Sequence, residues 1–157
     1  MSIVKTIPLL TAKRECEVQT ILVVDDEPIV LAVTARILSE AGFRALIADG
    51  AEAAIKLCHG FARPIDVALL DVMMPGKGGP DLAEDLIALH PEIAVVFMSG
   101  YEDYRFEKYR PFSFKWFIRK PFKAIDLLAI IQRPLDEVRK LGPRREENIT
   151  YIRKSAG

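Results

Sequence analysis

Short apolar runs of strand length alternate with helical patterns through most of the chain. The apolar runs lie near residues 20–25, 43–48, 65–71, 93–98 and 115–119. Apolar residues recur at helical spacing near residues 28–41, 51–59, 80–89, 101–109 and 123–132. Strands that alternate with helices form parallel sheets with both faces covered. The pattern therefore predicts an α/β fold with a doubly wound, five-stranded parallel sheet.

Proline and glycine positions support the first and third predicted helices. Pro28 suits the first turn of a helix, and Gly42 suits the cap after its last turn. The residues of the first helix predicted to face the core are Val30, Val33, Ile37 and Ala41. The corresponding core positions of the third helix are Leu82, Leu86 and Leu89.

The end of the ordered domain is predicted from a second proline. Pro134 would cost about 3 kcal/mol inside a helix, so the fifth helix should end near Arg133. A short extra helix from Leu135 to Leu141 should follow. The predicted organisation is an N-terminal extension over 1–19, one domain over 20–133, and a short helix with a charged tail over 134–157.

The composition gives no support for nucleic-acid or membrane binding. The 157 residues include 22 acidic and 22 basic side chains, and this balance does not favour binding to nucleic acid or to a membrane surface. The first ten residues contain Lys5 and Pro8 within an apolar stretch, which is too short and too broken for a signal peptide or membrane span. We therefore expect a cytoplasmic protein in which Cys16 and Cys58 are free thiols.

Polar residues stand where the predicted strands end. Asp25 and Asp26 follow the first apolar run, Asp71 closes the third, and Ser99 and Lys120 follow the last two. Parallel strands deliver their carboxyl ends to one edge of a sheet, where ligands of such folds bind. Crowded carboxylates repel one another unless a cation lies among them, which favours Mg²⁺. The sequence predicts a phosphate-handling site, although each aspartate alone also suits a helix cap or a turn.

Four ordered motifs resemble the receiver domain of two-component response regulators of the chemotaxis-regulator type. They are Leu-Val-Val-Asp-Asp-Glu-Pro (22–28), Leu-Leu-Asp-Val-Met-Met-Pro-Gly (69–76), Phe-Met-Ser-Gly-Tyr (97–101) and Lys-Pro-Phe (120–122). The resemblance covers roughly residues 20–133 and implies the flavodoxin-like (βα)5 receiver fold.

The resemblance also implies a role for each residue of the site. Asp71 would accept a phosphoryl group from a phosphohistidine of a sensor histidine kinase or a histidine phosphotransfer domain. Asp25, Asp26, Asp71 and the backbone carbonyl of Met73 would hold Mg²⁺. Lys120 would supply a second cation, since phosphoryl transfer spreads negative charge over the phosphoryl oxygens.

Further expectations concern switching and timing. Ser99 would donate its hydroxyl to the phosphoryl group, and Phe117 would repack as the aromatic switch residue. The family tunes hydrolysis of its acyl phosphate through the side chains at the positions of Met73 and Tyr101. Neither side chain obviously orients an attacking water, so we expect a comparatively long-lived phosphorylated form.

Aromatic residues are concentrated between residues 100 and 119, where the fourth helix looks short or shifted. They are Tyr101, Tyr104, Phe106, Tyr109, Phe112, Phe114, Trp116 and Phe117. These rings either form a docking surface or cover a core that a weak helix leaves bare. A homodimer would use the surface of the fourth helix, fifth strand and fifth helix.

The predicted function is that of a signalling domain and not of an enzyme. We expect a stand-alone receiver that acts by phosphorylation-dependent binding to an unidentified downstream protein or by phosphorelay. The alternatives are the receiver module of a hybrid histidine kinase and a phosphorylation-independent binding domain. A haloacid-dehalogenase-like phosphatase is disfavoured, because such enzymes place a second aspartate two residues after the nucleophile, where this chain has Met73 or Glu27.

Overall fold

The computed structural model describes residues 18–100 and 115–141, in which strands and helices alternate. The strands are β1 (Thr20–Val24), β2 (Arg44–Ala48), β3 (Val67–Asp71), β4 (Ala94–Ser99) and β5 (Phe117–Arg119). The helices are α1 (Pro28–Glu40), α2 (Ala51–Gly60), α3 (Gly79–Leu89) and α4 (Ala124–Leu141). The predicted fourth helix near 101–109 lies outside the described residues, so α4 corresponds to the predicted fifth helix.

The five strands form one parallel sheet in the order β2-β1-β3-β4-β5. In its register Ile21 pairs with Val67, Val67 pairs with Ala94, and Phe97 pairs with Phe117. The chain therefore winds outward in two directions from β1 and β3. This topology confirms the predicted doubly wound, five-stranded (βα)5 fold.

Side chains that alternate along the strands build a core on each face of the sheet. On one face, Ile21, Val23, Val67, Leu69, Val96 and Met98 pack with Leu31 and Leu38 of α1 and with Leu127 and Ile131 of α4. On the other face, Leu22, Val24, Ala68, Leu70 and Phe97 pack with Ala54 and Cys58 of α2 and with Leu82 and Leu86 of α3. Both faces of the central strands are buried, which explains their uninterrupted apolar sequences.

Helix α1 begins and ends as predicted. Pro28 lies in its first turn, and Gly42 has a φ of 92° directly after the C-cap residue Ala41. The Gly42 N–H donates to the carbonyl of Ser39 at 3.0 Å. Glycine suits this position because a side chain disfavours a positive φ.

The predicted inward face of α1 is correct only in part, because Ile37 packs against the core but the fully buried positions are different ones. The buried residues of the helix are Leu31, Thr34 and Leu38, whereas Val33 is 51% exposed and Ala41 is also exposed. Apolar residues occupy more than one arc of this helix, so the pattern alone does not select the arc that meets the sheet. In α3, Leu82 and Leu86 are fully buried as predicted, but Leu89 at the helix end is 38% exposed.

The predicted helix end at Arg133 is also wrong, because α4 continues through Pro134 to Leu141. Pro134 is buried. Leu135 is only 4% exposed and packs into the core on the α1 and α4 face of the sheet. Burial of a leucine contributes about 1.5–3 kcal/mol, which is comparable to the proline penalty of about 3 kcal/mol. The side-chain amide of Gln132 also donates to Asp136 at 2.8 Å across the proline.

Cys58 is a buried free thiol, and burial raises the pKa of this thiol. Cys16 lies outside the described residues.

Over the ranges 18–100 and 115–141, no helix has both the length and the apolar character needed to cross a membrane.

Candidate functional site

The carboxyl edge of the sheet brings the predicted site residues to one place. Asp71 and Ser99 are the last residues of β3 and β4, while Asp25 and Lys120 directly follow β1 and β5. Backbone hydrogen bonds extend the sheet past these ends. The Asp25 N–H donates to the carbonyl of Ala48 at 3.2 Å, and the Lys120 N–H donates to that of Ser99 at 2.7 Å.

Three aspartates meet at this edge. One carboxylate oxygen from each of Asp25, Asp26 and Asp71 lies within 4.8 Å of the others. Asp25 and Asp71 are buried, with 0% and 3% exposure, whereas Asp26 is exposed. A cluster of carboxylate oxygens that opens to solvent on one side fits a hard divalent cation such as Mg²⁺, which keeps several of its own waters.

The ammonium of Lys120 lies among carboxylates. Its Nζ is 2.9 Å from Asp25 Oδ2, 3.2 Å from Glu27 Oε1 and 3.5 Å from Asp71 Oδ2. Burial opposes the charged form of this lysine, but the hydrogen bond to Asp25 and the charges of Asp71 and Asp25 raise its pKa above the ordinary value. Lys120 therefore stays positively charged beside the acceptor predicted from the sequence.

Asp71 differs from an ordinary surface aspartate in its protonation. Burial and the charge of Asp25 raise the pKa of Asp71 to about 7, although the charge of Lys120 and the Met73 N–H act in the opposite direction. The Met73 N–H donates to Asp71 Oδ1 over a long distance of 3.4 Å. An additional cation in this cluster would favour the ionised carboxylate, which is the nucleophilic form.

The backbone of Asp71 is in close contact with the start of α3. A Cβ atom added to Gly79 would lie 2.3 Å from the carbonyl oxygen of Asp71, and one added to Gly78 would lie 3.0 Å from that of Val72. Only a residue without a side chain allows α3 to pack this closely behind the aspartate. This role of Gly79 was not predicted, although the sequence places a glycine before Pro80 at the start of a predicted helix.

Ser99 and Phe117 lie on neighbouring strands of this edge. The Ser99 hydroxyl is buried and donates to the carbonyl of Gly100 at 3.1 Å. Phe117 is half-buried, pairs in register with Phe97 and packs against the core on the α2 and α3 face. Ser99 pairs in register with Arg119, so Phe117 lies two residues before the end of β5 at which Ser99 is placed.

The remaining predicted residues are placed as follows. Met73 is partly exposed beside Asp71, and Tyr101 lies outside the described residues, as do the aromatic residues from Tyr104 to Phe114. Trp116 is 7% exposed and belongs to the core, so it covers the core and does not form an open docking surface.

The sheet order, the three clustered aspartates and the neighbouring lysine define an α/β domain with a charged site at the carboxyl edge of its parallel sheet. Residues 21–132 match the family model of the response regulator receiver domain, and the chain belongs to this family. The resemblance inferred from the motifs is thereby confirmed, and residues 21–132 form a receiver domain of the kind found in two-component signalling. The phosphatase interpretation finds no support.

Known proteins of this family resemble the chain over most of its length. The sensor kinase CckA of Brucella abortus (strain 2308) is 30% identical over 119 residues, which are 75% of this chain and 13% of that protein. The response regulator protein TmoT of Ectopseudomonas mendocina is 30% identical over 139 residues, which are 84% of this chain and 58% of that protein. The chain thus spans less than two thirds of either relative.

A solved structure shows the same fold. The CheY-like response regulator receiver domain protein from Methanospirillum hungatei JF-1 superposes with a TM-score of 0.72 at 28% identity. The match covers 80% of this chain and 100% of that one. The fold therefore agrees with that of a solved receiver domain over the whole length of that domain.

Proposed function

We propose that Asp71 accepts a phosphoryl group from a phosphohistidine of a sensor histidine kinase or a histidine phosphotransfer domain. The observation that carries the proposal is the Lys120 ammonium 3.5 Å from Asp71 Oδ2, beside a cluster of three aspartates. A nucleophilic carboxylate flanked by cationic groups is what phosphoryl transfer requires. The proposal applies equally to a stand-alone regulator and to the receiver module of a hybrid kinase.

In the proposed step, a carboxylate oxygen of Asp71 forms a bond to phosphorus while the phosphorus–nitrogen bond of the phosphohistidine breaks. The imidazole keeps the electron pair of that bond and takes up a proton. Lys120 neutralises charge on the phosphoryl oxygens from one side. The product is an acyl phosphate on Asp71.

Mg²⁺ would be held by Asp25, Asp26, Asp71 and the backbone carbonyl of Met73, and it supplies further neutralisation of the phosphoryl charge. The carboxylates favour this ion because two of them are buried and lie within reach of the third. Asp71 must lose its proton to act, and at neutral pH its pKa of about 7 leaves much of it protonated in the metal-free protein.

The proposed switch begins at Ser99. Its hydroxyl donates to the neutral carbonyl of Gly100, and a charged phosphoryl oxygen on Asp71 is a stronger acceptor. Movement of the hydroxyl toward the acyl phosphate would change the packing around Phe117 on the neighbouring strand. The output is then either phosphorylation-dependent binding to a downstream protein or transfer of the phosphoryl group to a further histidine.

Intact-protein mass after incubation with acetyl phosphate and Mg²⁺ tests the acceptor. The native chain should gain one phosphoryl group, and the gain should disappear in Asp71→Asn and in EDTA. Asp85→Asn is a matched control, because Asp85 lies on the outer side of α3 in an exposed ion pair with Lys77. A phosphoryl group that persists in Asp71→Asn would contradict the assignment of the acceptor.

A binding experiment separates switching from binding by shape alone. A partner captured with the phosphorylated native chain should bind Asp71→Asn no better with acetyl phosphate than without it. Equal binding by the native chain with and without acetyl phosphate would instead support the phosphorylation-independent alternative.

A further inference from the structure

The carboxylate of Glu27 is a third partner of the Lys120 ammonium, and this contact was not predicted from the sequence. Its Oε1 lies 3.2 Å from the Lys120 Nζ. The Glu27 side chain is 64% exposed, whereas those of Asp25 and Asp71 are 0% and 5% exposed. The ammonium therefore lies between two buried carboxylates and one exposed carboxylate at the opening of the site.

The backbone around Glu27 directs its side chain toward Lys120. Glu27 is the N-cap residue of α1, with extended φ and ψ of −92° and 110°, and its carbonyl accepts the N–H of Leu31 at 3.1 Å. Its own N–H donates to Asp25 Oδ1 at 2.9 Å. Its side chain makes no capping hydrogen bond to α1, so the carboxylate is available to Lys120.

We propose that Glu27 is a positioning residue for Lys120. A phosphoryl group on Asp71 then replaces the Glu27 carboxylate as a partner of the Lys120 ammonium. The inference rests on the proposed phosphorylation of Asp71. Glu27 touches Lys120 and has no described contact with Asp71, so it acts through the lysine and not on the reacting atoms.

The charges explain why Glu27 is the partner that is released. A phosphoryl group brings further negative charge and three acceptor oxygens to Asp71, on the side of the ammonium that faces the buried carboxylates. The exposed carboxylate of Glu27 is solvated by water after it separates from Lys120, whereas a buried carboxylate would lose the positive charge that compensates it. Glu27 therefore competes with the phosphoryl group for Lys120.

Removal of this competitor should strengthen binding of a phosphoryl analogue. We expect Glu27→Gln to bind beryllofluoride, in the presence of Mg²⁺, about two- to fivefold more tightly than the native chain, which is the range for a partly exposed ion pair. Asp49→Asn is the matched control. Asp49 is an exposed aspartate that follows β2 at the same sheet edge, and the described residues show no hydrogen bond or ion pair from it to Lys120.

Glu27→Asp separates positioning from the general effect of a nearby negative charge. Aspartate keeps the charge but is one methylene shorter, and as a favoured N-cap residue it turns toward the N–H groups of α1. Positioning predicts that Glu27→Asp behaves like Glu27→Gln. A field effect alone predicts that Glu27→Asp behaves like the native chain.

The experiment is a calorimetric titration of the four proteins with beryllofluoride at saturating Mg²⁺, together with the NMR signal of the Lys120 side-chain ammonium without ligand. The expected result is tighter binding and a shifted ammonium signal in both Glu27 variants, with Asp49→Asn unchanged. Native affinity in Glu27→Asp, or equal affinity in Glu27→Gln and Asp49→Asn, would overturn the inference. If the native chain binds no beryllofluoride and gains no phosphoryl group, the proposed function itself fails.

Discussion

The ion pairs at the carboxyl edge of the sheet and the ion pair on α1 use the same chemical groups in different surroundings. Lys120 is 13% exposed and its partner Asp25 is fully buried, with 2.9 Å between their charged atoms. Arg36 and Glu40 form a pair of 2.8 Å on one face of α1, but their side chains are 80% and 65% exposed. Nearly equal distances therefore describe two very different interactions.

The difference shows that burial, and not the distance between charges, decides what an ion pair can do. Water screens an exposed pair, so either partner can be lost with little consequence. A buried pair cannot lose one partner without leaving an uncompensated charge. A phosphoryl group on Asp71 or a bound cation, as proposed, would therefore change the balance of charges at the sheet edge.

The largest effect is expected from loss of the buried cation. Lys120→Met should lower the rate of phosphorylation by acetyl phosphate by about 10²- to 10³-fold, because the charge that develops on the phosphoryl oxygens loses a preorganised partner. A time course of intact-protein mass at saturating Mg²⁺ measures the rate. Lys123→Met, which removes an exposed lysine three residues later, should leave the rate near that of the native chain. Similar rates in the two variants would contradict the assigned role of Lys120.

A second large effect is expected where α3 meets the backbone of Asp71. Gly79→Ala would place a methyl group 2.3 Å from the Asp71 carbonyl oxygen, so backbone must shift, and the free energy of unfolding should fall by about 1–3 kcal/mol. Gly60→Ala is the matched control, because no heavy atom outside its own helix and neighbours lies within 4 Å of the added Cβ. Urea unfolding of both variants measures this difference. Equal free energies of unfolding in Gly79→Ala and Gly60→Ala would show that the backbone at this contact shifts without cost.

The pH dependence of stability tests whether burial affects the charge of Asp71, which lies close to Asp25, Asp26 and Lys120. Its pKa rises from 3.8 to about 7 in the folded protein, so the folded chain holds a proton that the unfolded chain releases. In EDTA, the contribution of Asp71 to the free energy of unfolding should therefore be most favourable below about pH 4, decrease between about pH 4 and about pH 7, and stay constant above that. Asp71→Asn should remove this slope.

The same variant should be more stable than the native chain above pH 7. We expect a gain on the order of 1–2 kcal/mol, because solvent and Lys120 already screen part of the unfavourable charge. Denaturant unfolding in EDTA across pH 4–8 measures the gain. A native chain whose stability does not depend on pH in this range, relative to Asp71→Asn, would show that Asp71 titrates normally.

The sequence was sufficient for the sheet and for most of the acidic edge. Uninterrupted apolar strands, such as Ile21-Leu22-Val23-Val24, can be stable only with both faces covered, and parallel strands bring Asp25, Asp71, Ser99 and Lys120 to one edge. These inferences need only the residue type and its place at the end of a strand. They do not depend on how any side chain is oriented.

The features that were missed depend on three-dimensional contacts. The inner arc of α1 is chosen by the sheet surface that it meets, and the passage of α4 through Pro134 depends on the burial of Leu135. The contact between Glu27 and Lys120 joins residues 93 positions apart. The close approach of Gly79 to the Asp71 carbonyl leaves no apolar pattern in the sequence.

A smaller kinetic effect is expected at Met73, which is 36% exposed beside Asp71. A thioether does not orient water, whereas an amide does, so Met73→Asn should speed loss of the phosphoryl group several-fold. Met73→Leu should stay as slow as the native chain. The measurement is decay of the phosphorylated mass after removal of acetyl phosphate. Little or no acceleration in Met73→Asn would count against a protective role for this side chain.

The smallest effect is expected for the exposed pair on α1. Arg36→Ala, Glu40→Ala and the double variant should have urea midpoints within experimental error of one another, because water already solvates both charged groups in the native chain. Phosphorylation rates should also be unchanged, since neither residue lies at the sheet edge. A double-mutant cycle at low and high salt checks both statements. A coupling energy well above about 1 kcal/mol, the upper end of the range for exposed ion pairs, would show that burial does not set the strength of ion pairs in this domain.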